Sequence, residues 1–214
     1  MAIAIFDFDG TLITGQSQMM LIVYALKKRQ IDIYSFIKIW FWFLAYSKKL
    51  AGNPQLIIAF AYRRLLHRKS EADILLFIEE FYHAVIAKKL RPKIISILEE
   101  HRLRGDEVIL LTNALEPLAR VVAKQLDCNR FFSTTPEKIK GVYTGEIEGE
   151  IMYGYKKAEL IKKIFTPVEL NNASAYCDHE SDVALLELVG HPVAVGTNQR
   201  LIYMALKRHW QIIN

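Results

Sequence analysis

Asp7 and Asp9 stand one residue apart behind the apolar run Ile3-Ala4-Ile5-Phe6, and Gly10 and Thr11 follow at once. Alternation along an extended strand points both carboxylates to the same side of its C-terminal end. Two like charges that close disfavour each other's ionisation unless a cation or a proton intervenes. The pair therefore suits a divalent metal, with one carboxylate free to act as a nucleophile. Taken without the rest of the chain, the same residues also fit an edge strand entering a polar turn, with Gly10 supplying a tight backbone geometry.

Three further groups carry chemistry. Thr112-Asn113 follows the apolar Leu110-Leu111. A hydroxyl at a strand end ahead of a helix can bond a phosphate oxygen beside the helix N-terminus, or simply cap the helix. Gly154-Tyr155-Lys156-Lys157 opens a helical segment. A lysine there can neutralise a phosphate as a point charge; two adjacent lysines can also both face solvent. Asp178 and Asp182 are four apart across a strand end and a helix start. That spacing puts one carboxylate at a metal and the second behind it, or makes an acidic loop with a cap at Asp178 or Ser181.

The elements that position these groups follow from periodicity. Residues 16–29 and 33–47 read as helices, the second very apolar. Asn53-Pro54 opens a third helix to about Leu66. Ser70 with Asp73 caps a fourth, which runs to about Lys89. Pro92 starts another, ended by Arg104-Gly105-Asp106. Beyond residue 105 the pattern changes. Short buried strands at 107–111, 130–133, 173–177 and 192–195 alternate with helices from Pro117 and at 156–165, 183–188 and 200–207. A hairpin is expected around Gly141, Gly145 and Gly149, and a last strand at 210–213. The fold class is α/β: a Rossmann-like parallel sheet with an inserted α-helical cap. The core domain is expected at 1–13 and 89–214, and the cap at 14–88.

Of 214 residues, 52% are hydrophobic and 24% charged, a globular composition. Cys128 and Cys177 lack metal-like spacing, and the six His are scattered, which argues against a structural zinc site. No basic region leads into an apolar targeting core, so a reducing cytoplasm is the expected compartment. The net charge of +5 is uneven. Residues 13–104 hold 16 Lys/Arg against 7 Asp/Glu, a net of +9, with clusters at Lys27-Lys28-Arg29, Lys48-Lys49, Arg63-Arg64, Arg68-Lys69 and Lys88-Lys89. Such a segment favours an anionic substrate or surface, or forms solvated helix faces.

In order and spacing, DFDGTL, Thr112, Lys156 and the pair Asp178 and Asp182 resemble the motifs of the haloacid dehalogenase-like hydrolases. The segment 182–195 is similar to the phosphoserine phosphatase-like branch, subfamily IB, which carries a C1-type helical cap between its first two motifs. The resemblance implies a phosphatase. Asp7 would attack phosphorus and form an aspartyl-phosphate. Asp9 would protonate the leaving oxygen and then activate water. Mg²⁺ would be held by Asp7, the carbonyl of Asp9, and Asp178. Thr112, Asn113 and Lys156 would meet the phosphoryl oxygens, with Gly10 and Thr11 supporting the loop and Asp182 orienting the lysine or a metal-bound water. Lys157 competes for the lysine role; the family pattern of glycine, lysine and leucine favours Lys156.

The chain also departs from the branch. Gly10 replaces a usual serine, and Gln16 stands where a glutamate would meet a substrate ammonium. The expected substrate is a small phosphorylated metabolite, with Gly10 and Gln16 pointing away from phosphoserine, Gln16 a candidate specificity residue and no nucleic-acid partner. Two readings stand beside it: a lipid-phosphate phosphatase at the inner membrane face, and a non-catalytic phosphate-binding module. The aromatic segment 33–46 bears on the first. It is shorter than the roughly 20 apolar residues that span a bilayer. It fits peripheral lipid contact through the cap, or a cap-core helix apolar all round.

Overall fold

The computed structural model describes residues 2–47 and 54–214, so the basic pair Lys48-Lys49 and the start signal at Asn53 lie outside the described residues. Strand β1 (Ile3–Phe6) opens the chain and α1 (Ser17–Lys27), α2 (Ile33–Ser47), α3 (Pro54–Leu66), α4 (Glu71–Ala84) and α5 (Pro92–Leu103) follow before β2 (Glu107–Leu115). Then come α6 (Glu116–Gln125), β3 (Arg130–Thr134), the hairpin β4 (Pro136–Ile139) and β5 (Val142–Ile147), α7 (Tyr155–Ile164) and α8 (Pro167–Asn171). The chain ends with β6 (Ser174–Cys177), α9 (Val183–Leu186), β7 (His191–Val195), α10 (Gln199–Lys207) and β8 (Gln211–Ile213).

One sheet runs in the order β3-β2-β1-β6-β7-β8, and its pairs are parallel. β1 lies at its centre. The chain builds outward to β2 and β3 on one side, then crosses to β6, β7 and β8 on the other. A crevice opens at such a reversal, outside the C-terminal strand ends. The register Phe6↔Leu110 and Phe6↔Tyr176 sets the next residues of the three central strands side by side. Asp7, Thr112 and Asp178 therefore stand at neighbouring levels of the three central strands.

Alternation divides the core by face. Ala4, Phe6, Val108, Leu110 and Tyr176 share one cluster with Ile94 and Leu98 of α5 and Leu118 and Val122 of α6. Ile3, Ile5, Ile109, Leu111, Ala175 and Cys177 pack under α7 to α10. The helices that follow β1 share the first of these clusters through Leu21, Ile39, Tyr62, Ile78 and Phe81. The chain departs from the sheet and returns to it side by side: Thr14 N–H donates to Lys89 O and Arg91 N–H to Leu12 O, both at 2.8 Å. Ser70 caps α4 by accepting from Asp73 N–H, as its sequence position suggests.

Helix α4 ends at Ala84 rather than near Lys89, with a separate 3-10 turn at Ile86–Lys89, and two further elements differ from the sequence expectation. β2 does not stop at Leu111 but continues to Leu115, past a register shift in its pairing with β3. Thr112 and Asn113 thus lie within an irregular strand. The Thr112 hydroxyl accepts from Ala114 N–H at 3.0 Å, a side-chain bond where the ladder is disturbed. Helix α8 was not expected, although Thr166-Pro167-Val168-Glu169 is a complete capping box: the Thr166 hydroxyl accepts from Glu169 N–H while the Glu169 carboxylate accepts from Thr166 N–H. Among the described residues no helix is long and apolar enough to cross a membrane.

Candidate active site

Asp7 continues β1 by one residue, its N–H donating to Tyr176 O at 3.0 Å. Its side chain is buried and meets Lys157, whose Nζ donates to Asp7 Oδ1 at 2.7 Å and to Asp182 Oδ2 at 2.9 Å. Lys157 is only 3% exposed. Burial works against its charge, but Asp182 and Asp7 outweigh it and hold the ammonium above the ordinary lysine range.

This places Lys157, not Lys156, at the carboxylates. Lys156 turns outward to Glu150 (2.6 Å) and Glu159 (3.1 Å). The reason is helical phase. On α7 the buried positions are Lys157, Ala158 and Ile161, one face of a 3.6-residue repeat, and Lys156 falls outside it. Gly154 precedes the helix at φ +59° and ψ −126°, a conformation open to glycine and strained for other residues.

Asp9 faces a different partner. Its carboxylate accepts from both the backbone N–H and the hydroxyl of Ser17, the latter at 3.0 Å. Ser17 begins α1, and Gln16, at the N-cap position, makes no side-chain cap bond. Asp9 thus takes a free N–H of that helix from a distance in sequence, where a negative group is favoured. Burial drives the Asp9 carboxyl up to about 7, the two Ser17 bonds oppose this, and Asp7 adds to it. Ser17 is a site residue that sequence reading missed; its signal was a serine at a helix start, buried although polar.

Asp178 follows β6. Burial, then Asp7 and Asp182, push its carboxyl up to about 8. Gly10, at φ +76°, lets it approach: a Cβ on Gly10 would lie 1.9 Å from Asp178 Oδ2. Asp182 is buried; Lys157 bonds one of its oxygens, and Oδ1 has no hydrogen-bond partner among the described residues. Thr11 is fully buried, and its hydroxyl has no partner among the described residues. Asn113 is partly buried, its carbonyl accepting from the Thr134 hydroxyl at 2.9 Å. That hydroxyl also accepts from Met152 N–H at 3.2 Å, so Thr134, a second residue missed in sequence, ties β2 to the segment leading into α7. Gln16 is exposed at the start of α1, one residue from Ser17.

Four carboxyl groups (Asp7, Asp9, Asp178 and Asp182) thus share one ammonium, Lys157. Lys157 bonds Asp7 and Asp182, and Ser17 bonds Asp9. Asp178 has no hydrogen-bonded partner among the described residues. A hard cation fits that imbalance, with oxygen donors from Asp7 and from Asp178, whose close approach the missing side chain of Gly10 permits. Among the described residues no three His, Cys, Asp or Glu side chains group as a metal cage.

Comparison with known proteins decides the family. Residues 4–187 match the haloacid dehalogenase-like hydrolases. The chain belongs to that family. This HAD hydrolase is 30% identical over 216 residues to a phosphoserine phosphatase of Mycobacterium tuberculosis, covering 99% of the chain and 70% of that protein. It is 26% identical over 224 residues to a histidinol-phosphatase of Neisseria meningitidis, covering 99% and 98%. In fold, it superposes with a TM-score of 0.90 on a protein of unknown function from Bordetella pertussis Tohama I, at 24% identity, covering 100% of this chain and 98% of that one.

Proposed function

We propose that this HAD hydrolase is a Mg²⁺-dependent phosphomonoesterase that works through an aspartyl-phosphate at Asp7. The observation that carries the reading is the unequal treatment of two neighbouring carboxylates. Asp7 is bonded by the Lys157 ammonium, whereas Asp9 is bonded by Ser17 and sits near neutrality between its two protonation states. Environments that divide a carboxylate pair in this way assign one to attack and the other to proton transfer.

In the first step the Asp7 oxygen not bonded to Lys157 attacks phosphorus, and the bond from phosphorus to the ester oxygen breaks. Asp9, protonated, gives its proton to that leaving oxygen. In the second step Asp9 takes a proton from water as the water oxygen bonds to phosphorus, and Asp7 leaves, giving inorganic phosphate. Lys157 and the Thr112 hydroxyl carry charge on the phosphoryl oxygens, and Asp182 keeps Lys157 in place. Mg²⁺, held by Asp7, the carbonyl of Asp9, and Asp178, would screen the nucleophile from the phosphate charge.

We take residues 14–88 as the cap over a core of 1–13 and 89–214; the paired crossing of 12–14 with 89–91 supports that division. The substrate is a small phosphorylated molecule, and a reducing cytoplasm suits the two free cysteines. The two relatives are named for different alcohols, so family membership leaves the leaving group open. Gln16 lacks the charge to pair with an ammonium, which weighs against phosphoserine.

Hydrolysis of p-nitrophenyl phosphate with and without Mg²⁺ tests this. Turnover is expected with the metal only, and none in Asp7→Asn. No turnover by the native protein leaves a non-catalytic phosphate-binding module instead, and full turnover in Asp7→Asn rules out an aspartyl-phosphate at Asp7.

A further inference from the structure

Helix α2 is apolar on the side where a surface helix is ordinarily charged. Its inner face holds the buried Ser35 and Ile39. Its outer face presents Ile33, Tyr34, Ile37, Trp40 and Phe41, at positions i, i+1, i+4, i+7 and i+8. Tyr34 is 71% exposed and Phe41 69%. These five form one contiguous stripe over residues 33–41, the first nine positions of the helix and about 12 Å of its length. Isolated exposed apolar side chains need no explanation, but a continuous stripe marks a contact surface.

The surroundings are basic. Lys27 and Arg29 are exposed at the end of α1, just ahead of α2. Lys38 and Arg64 both stand over the Phe60 ring, at 4.7 and 5.4 Å from its centroid. The segment that contains α2 carries the net +9, whereas the remainder of the chain is net negative. A second copy meeting this face through the same patch would bring like charge against like charge. An anionic surface is complementary.

We propose that the outer face of α2 docks on an anionic lipid bilayer, the helix lying in the interfacial plane. Tyr, Trp and Phe are the side chains suited to that depth, and the flanking Lys and Arg meet the headgroups. The inference is independent of the proposed reaction, because none of the five residues belongs to the site.

Flotation with vesicles tests it. The native protein is expected to float with vesicles of phosphatidylglycerol and phosphatidylcholine, less so as salt rises, and not with phosphatidylcholine alone. The double variant Ile37→Ser/Phe41→Ser should partition about tenfold or more weakly. Its melting temperature and p-nitrophenyl phosphate turnover should stay native, which separates docking from folding. Three results would overturn the proposal: no flotation of the native protein, equal flotation of the double variant, or a native dimer in sedimentation that the variant converts to monomer. The last would give the face to a second copy.

Discussion

Asp9 accepts two hydrogen bonds from Ser17, so the proposed acid and base is fixed by the first residue of α1. The proton-transfer group of the core is thereby oriented by the helix that begins the insertion. Removing the Ser17 hydroxyl leaves the backbone bond and costs Asp9 one of two restraints. Ser17→Ala should lower kcat on the order of tenfold, with KM little changed, since Ser17 acts through Asp9. Steady-state kinetics on p-nitrophenyl phosphate reads this; a change confined to KM would place Ser17 with the substrate.

The two adjacent lysines should behave oppositely. Lys157→Met strips the ammonium from two buried carboxylates, a loss of the kind that costs about 3–5 kcal/mol. Activity should fall at least about 100-fold. Lys156→Met removes exposed pairs with Glu150 and Glu159 and should leave turnover and melting temperature native. Equal losses in the two variants would return the role to both.

Gly10 is required by a close approach as well as by its backbone. Gly10→Ala puts a methyl group where Asp178 Oδ2 lies and strains a φ of +76°. Asp178 must then move. The variant should lose most of its activity and most of the rise in melting temperature that Mg²⁺ gives the native protein. Thermal denaturation with and without Mg²⁺ checks this.

Asp106 supplies a pH dependence away from the site. Burial acts to raise its carboxyl, but bonds from His101, Ala2 N–H and Arg104 prevail and hold it below the usual range. A depressed folded value stabilises above the unfolded carboxylate pKa of about 4 and is lost as pH falls through the folded value. Asp106→Asn should therefore be less stable by about 1–2 kcal/mol near neutrality. The two proteins should converge in strong acid, as melting temperatures across pH will show.

Much of this was legible in the sequence because it rests on local periodicity. The alternation of Ile3 to Phe6 placed Asp7 and Asp9 at a strand end, and the change of pattern at residue 105 gave the parallel sheet. The lysine was legible too: Lys157 shares its helix face with Ile161, a phase that a motif match alone overlooks. The extension of β2 was not. Its irregular pairing with β3 depends on partners distant in sequence. Nor was the contact of Asp9 with Ser17, which needs a turn through Gly10 and Gly15 before α1 begins. Among the described residues of α2, an apolar-all-round pattern fitted a core helix, yet one face is exposed; composition does not say which neighbours are present.

The proposed reaction passes through a covalent phosphate on Asp7. In Asp9→Asn, p-nitrophenyl phosphate should still phosphorylate Asp7, because nitrophenolate leaves with little need of a proton. The second step lacks its base and should slow about 10²–10⁴-fold. The acyl phosphate should then accumulate. Rapid quench and borohydride reduction would convert it to homoserine, which peptide mass mapping locates. Homoserine is expected at position 7 and nowhere else. Turnover by the native protein with no modified Asp7 in either protein, or with the label on another carboxylate, would contradict it.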